Sequence, residues 1–151
     1  MAYTFEQLKD DVRKEAEALR IHATKEEMER LDTTTFNPLH YDNCIYGQMT
    51  NTCFSKRASF LIFNCCKRYF KSWDNDHATM EEHARAGRVM EVVNGETIEG
   101  VNNADDLFDH RDLYCDKVFH FSAIEAYIMT PEANIANLIA YLRGETETLT
   151  L

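Results

Sequence analysis

The stretch FNPLHYDNCIYGQMTNTC, residues 36–53, collects the side chains best able to do chemistry: His40, Asp42, Cys44, Tyr46, Gln48 and Cys53. An imidazole and two thiols form a donor set that zinc accepts, so His40, Cys44 and Cys53 are metal-ligand candidates, with His77, His83 or Cys115 as a fourth. Their spacing departs from that of structural zinc sites, because no two cysteines are separated by two to four residues. The same residues offer a cysteine nucleophile, Cys44 or Cys53, with His40 as its base and Asp42 orienting the imidazole. No local signature of a cysteine hydrolase accompanies them. The plainer reading is that the five cysteines are small buried apolar residues.

A second group is acidic. Asp105, Asp106, Asp109, His110 and Asp112 stand close together in DDLFDHRD. Several carboxylates at this density can hold a divalent cation, but the run lacks the spacing and the glycine of a calcium loop. A solvated acidic surface is the commoner outcome. Asp105, Asp106, Asp109 and Asp112 are then the residues expected to meet a protein partner of opposite charge.

A third group is basic. Wound as a helix, residues 55–73 gather Lys56, Arg57, Lys67, Arg68 and Lys71 on one arc, with Phe60 projecting from its middle. A ring among cations suits a nucleic acid or another polyanion, through stacking and cation–π contact. Coverage of Phe60 by another segment of the chain is the structural alternative. Nucleotide loops are absent: among only 5 glycines there is neither G-x-G-x-x-G nor G-x-x-x-x-G-K-[ST]. No catalytic constellation stands out, and no cofactor is expected.

These groups need elements to position them. The helix 55–73 carries a wide apolar face (Leu61, Ile62, Phe63, Cys65, Cys66, Phe70) and reads as the centre of the core, N-capped by Ser55. Ahead of it, Thr4 with Gln7 and Thr24 with Glu27 are capping boxes. The first opens a helix whose stripe is Phe5, Leu8, Val12, Ala16, Leu19 and Ala23; the second opens a short one pairing Met28 with Leu31. The segment 36–53 shows neither helical nor strand periodicity and reads as a long loop.

Beyond Trp73, Asp76 is placed to cap a helix ending at Gly87, and Asn94-Gly95 marks a hairpin over 88–101. Residues 113–121 alternate as a third strand. Ser122 caps a further helix, Thr130-Pro131 restarts it, and Ile135, Leu138, Ile139 and Leu142 form its core stripe before Gly144 stops it. The tail ETETLTL either adds a strand or frays. The expected fold is α+β and mainly helical: a central helix 55–73 packed by the N- and C-terminal helices, with a small antiparallel sheet from hairpin 88–101 and strand 113–121.

With 151 residues the chain is expected to be one domain, spanning 1–151. Its 44% hydrophobic and 28% charged content excludes a disordered chain. The N-terminus lacks the basic and apolar regions of a signal peptide, no apolar run approaches membrane-spanning length, and an odd cysteine count argues against a secreted disulfide framework. A reducing cytoplasm is the expected compartment.

Net charge is −10, unevenly spread: residues 36–73 hold 5 basic and 1 acidic side chains, residues 74–115 hold 3 and 11. The leading functional expectation is therefore a small acidic cytoplasmic binding protein that captures a basic protein surface, as an inhibitor or adaptor does. Its general look suits the accessory proteins of bacterial viruses or mobile elements, although no motif carries that class. The alternatives are polyanion binding by the basic helix face, metal or cysteine chemistry in 36–53, and a structural subunit of a larger assembly that uses the first helix as its contact.

Overall fold

The computed structural model describes residues 4–38, 40–66, 69–72, 103–109 and 119–151. Among these, seven helices run in the order α1 (Phe5–His22), α2 (Lys25–Glu29), α3 (Ile45–Thr50), α4 (Lys56–Cys65), α5 (Ala104–Asp109), α6 (Ala123–Ile128) and α7 (Ile135–Leu142). Two four-residue strands, β1 (Tyr69–Ser72) and β2 (Phe119–Ser122), pair antiparallel with Tyr69 opposite Ser122 and Ser72 opposite Phe119.

The α+β expectation is thereby overturned, and among the described residues the class is all-α. One short ribbon is too small to form a layer of its own. Hairpin 88–101 and residues 113–118 of the expected third strand lie outside the described residues, as do the helix expected after Asp76 and its Gly87 stop.

The helix starts follow the local chemistry. Thr4 and Thr24 form reciprocal capping boxes with Gln7 and Glu27, and Ser55 accepts the Ala58 N–H at 3.0 Å. Ser122 and Glu125 add a third box at α6. Each box satisfies two backbone donors that the first turn leaves open. At the other end of the chain, Gly144 adopts φ 77°. Its N–H reaches Tyr141 O and that of Glu145 reaches Ala140 O, the paired bonds of a Schellman stop.

Four boundaries differ from expectation. The central helix ends at Cys65, well short of Trp73, because Cys66 turns extended. Tyr69 and Phe70, aromatic residues suited to a strand, continue into β1. Residues 36–53 are not a loop throughout, since α3 occupies 45–50 with Cys44 as its N-cap. Pro131 does not restart a helix; α7 begins at Ile135, N-capped by Asn134. The tail neither pairs nor frays: Asn137 binds Thr148 O and Thr150 N, Arg20 holds Glu147, and Leu149 and Leu151 pack on the core.

The core is where α1, α3, α4 and α6 meet. Leu8, Val12, Ala16 and Leu19 of α1 are fully buried, so the first helix spends its stripe on its own domain. They pack with Tyr46 and Met49 of α3, Leu61 and Ile62 of α4, and Ile124 and Tyr127 of α6. Each buried Val, Leu, Ile or Met among them contributes about 1.5–3 kcal/mol. Helix α5 lies against α4, with Leu107 buried between them.

Candidate functional site

The acidic residues come first. Asp105 and Asp109 stand exposed on α5 and Asp106 is half-buried, its N–H bonded to Asn103 Oδ1 at 2.9 Å. Asp112 and His110 lie outside the described residues. Asp105 and Asp106 occupy the first turn, where carboxylates favour the helix; Asp109 occupies the last turn, where they do not. Helix stabilisation therefore leaves Asp109 unexplained.

The basic arc is partly committed inside the fold. Arg57 makes a two-pronged ion pair with Glu27, from Nε at 2.9 Å and Nη2 at 2.8 Å, and donates to His22 O at 2.9 Å. The bond from Arg57 holds the Glu27 carboxyl below its ordinary range. Lys56 Nζ sits 5.7 Å from the centre of the Phe108 ring on α5. Phe60 is 37% exposed, with Arg57 over its face at 5.1 Å and His22 against its edge. The ring is thus partly covered by its own chain. Lys67 and Arg68 lie outside the described residues, and Lys71 falls in β1, separated from α4 by the end of the helix.

The segment 36–53 is ordered by hydrogen bonds around α3. Gln48 bridges to the Asp32 backbone in both directions, and Arg30 donates to Met49 O. His40 is not aimed at Cys44: its Nδ1 accepts the Asp42 N–H at 3.1 Å, and its ring stacks on Tyr41 at 4.8 Å. Cys44 Sγ accepts the Gly47 N–H at 3.4 Å as the α3 cap. A hydrogen bond with Cys53, followed by burial, pushes the Cys44 thiol well above its ordinary value. That environment opposes the thiolate a nucleophile or zinc ligand requires. Among the described residues no three His, Cys, Asp or Glu side chains gather as a metal site.

The most unusual chemistry is a buried pair of carboxylates that the sequence reading passed over. Glu15 and Glu125 are both buried in the core. Glu15 Oε1 accepts the Ile124 N–H in the first turn of α6 at 3.0 Å, and Oε2 accepts from the Tyr46 hydroxyl at 2.7 Å. Cys66 donates to the Tyr46 oxygen at 3.0 Å. Glu125 Oε1 accepts the Ser122 N–H at 2.9 Å, and Oε2 accepts that of Ile45, the first residue of α3, at 3.2 Å.

Burial raises both acids, Glu125 to about 8. The chemistry of this arrangement is capping. Two acids tie the starts of α3 and α6 to each other and to α1, using backbone donors that would otherwise be unsatisfied inside the core. The visible signals were Glu15 interrupting the Leu8–Leu19 stripe and Glu125 standing three residues after Ser122.

The described residues therefore form a mainly helical packing with one short ribbon, a polar clamp at its centre and an acidic helix on its surface. Among the described residues no helix is long and apolar enough to cross a membrane. No protein-family model, no characterised protein and no solved structure matches the chain.

Proposed function

We propose that this chain is a cytoplasmic binding protein that captures a protein partner through charge, as an inhibitor or adaptor, with the outer face of α5 as its contact. The observation that carries this reading is the division of α5: Leu107 is buried against α4 while Asp105 and Asp109 remain exposed. Among the described residues neither aspartate forms an ion pair with the basic helix beside it, so their charge faces outward. Asp109 opposes the helix dipole, which leaves a surface role to account for it. A net charge of −10 would steer a basic partner toward this face. Cys44, Cys53, Cys65 and Cys66 stand as thiols, which suits a reducing compartment.

The polyanion alternative has less support. Arg57 is spent on Glu27, and Phe60 is partly covered by His22 and Arg57. The structural-subunit alternative loses its expected contact, since Leu8 and Val12 are fully buried in their own core.

The test is capture from host lysate by the tagged chain, with and without nuclease, beside an Asp105→Lys, Asp109→Lys variant. We expect a basic protein whose capture survives nuclease, weakens with salt and is lost in the variant. Capture that is unchanged by the double reversal, or abolished by nuclease, overturns the reading.

A further inference from the structure

Cys44 and Cys53 stand at the two ends of α3, and the fold has already brought them together. The Tyr41 carbonyl oxygen accepts the Cys53 N–H at 2.8 Å and lies 3.9 Å from Cys44 Sγ, so one acceptor is shared by both residues. The Cys53 side chain is also the first cause of the raised Cys44 thiol, ahead of burial. Between them, Gly47 presses on the backbone of Tyr41 and Asp42: a β-carbon there would stand 2.8 Å from the Asp42 carbonyl carbon and closer still to Tyr41 O. The segment is thus a closed loop whose ends meet before any covalent link is made, which removes most of the entropy of closing it.

Exposure orders the pair. Cys53 is half-buried and reachable from solvent, whereas Cys44 is buried behind it. We propose that Cys44 and Cys53 form a redox-modification site, a dithiol that a small-molecule disulfide converts into an intrachain disulfide.

In the first step Cys53 loses its proton to solvent, and its thiolate attacks one sulfur of the external disulfide. A mixed disulfide forms on Cys53, and one small thiolate leaves and takes up a proton. In the second step the Cys44 sulfur attacks Cys53 Sγ while its proton passes to the departing small thiolate, so the buried Cys44 never has to persist as a thiolate. The Cys44–Cys53 bond forms and the second small thiol leaves. Two protein thiols are oxidised and one external disulfide is reduced to two thiols.

The consequence reaches α3. Cys44 Sγ now caps the Gly47 N–H, and bonding to Cys53 draws the sulfur away from that role. The Ile45 N–H remains held by Glu125. In a reducing compartment the pair would rest as thiols and respond when the disulfide pool rises.

The test uses the full reduced chain with glutathione disulfide under native conditions, followed by alkylation, intact mass and peptide mapping. We expect the thiol count to fall from five to three, with the 44 and 53 peptides linked and helical circular dichroism retained. A Cys44→Ser variant keeps an α3 cap, because a serine hydroxyl accepts the same N–H. It should stop at a glutathione adduct on Cys53. The proposal is overturned if the wild-type chain also stops at that adduct, if either cysteine links instead to Cys65, Cys66 or Cys115, or if all five thiols survive.

Discussion

The Tyr46 hydroxyl donates to Glu15 Oε2 at 2.7 Å, and both groups are buried among apolar side chains. This bond joins α3 to α1 at the point where Glu15 also holds the start of α6. The same hydroxyl accepts from Cys66, the residue at which α4 ends. Four elements therefore converge on one phenol oxygen and one carboxylate.

Tyr46→Phe keeps the ring and removes the donor. The carboxylate then loses one of the bonds that offset its burial, and Cys66 loses its nearer acceptor. We expect a loss of about 1–3 kcal/mol in urea unfolding with an unchanged dependence on denaturant. The double variant Tyr46→Phe, Glu15→Gln should lose less than the sum of the two single changes, because the two groups share one network. Strict additivity would show that the bond is not coupled as the structure places it.

Glu125 makes stability depend on pH. Burial pushes its carboxyl from 4.5 to about 8, and Glu15 facing it from α1 adds to the rise. Cys44 approaches it from α3 as a neutral thiol. The folded chain therefore keeps a proton that the unfolded chain releases. This contribution is complete below about pH 4.5, fades as pH rises and is gone above about pH 8. The slope from this group reaches at most about 1.4 kcal/mol per pH unit. Glu125→Gln does not titrate and should reduce the slope of the stability profile between these limits, leaving the part that the raised Glu15 contributes, while losing about 1 kcal/mol for one imperfect amide contact. A profile with the wild-type slope would remove Glu125 as its source.

Arg57 is the test of whether the basic arc serves folding or a ligand. Its fork on Glu27 is partly open to solvent, which screens the pair, so Arg57→Ala should reduce stability by about 1 kcal/mol at neutral pH. Glu27 is held below its ordinary 4.5 by this partner. The contribution is accordingly present above about pH 4.5 and is lost as the pH falls through the depressed value. Arg57→Lys should recover only part of it, since an ammonium cannot form the two-pronged contact. A variant as stable as the wild type at pH 7 would return Arg57 to the surface as a free cation.

Local chemistry was legible in the sequence wherever the partner lies within one turn. The caps at Thr4, Thr24, Ser55 and Ser122 and the stop at Gly144 all follow from residue types three or four positions apart, and each appears in the fold. The Leu8, Val12, Ala16 and Leu19 stripe was legible for the same reason, because helical spacing alone places these residues on one face.

What depended on distant partners was decided by tertiary structure. The periodicity of 55–73 continues past Cys65, yet the chain leaves the helix there and pairs Tyr69–Ser72 with Phe119–Ser122, a partner no local pattern announces. Nothing local singles out Glu15 and Glu125 as partners until α3 and α6 bring their open N–H groups to them. Arg57 read as a surface cation until α2 delivered Glu27. Sequence by itself determined where α1, α2, α4 and α6 begin and which face of α1 is apolar, since those depend on nearest neighbours, whereas the starts of α3 and α7 were not legible. The partner of each buried polar group was set only when the helices packed, because the cost of burying such a group is met by groups far away in the chain.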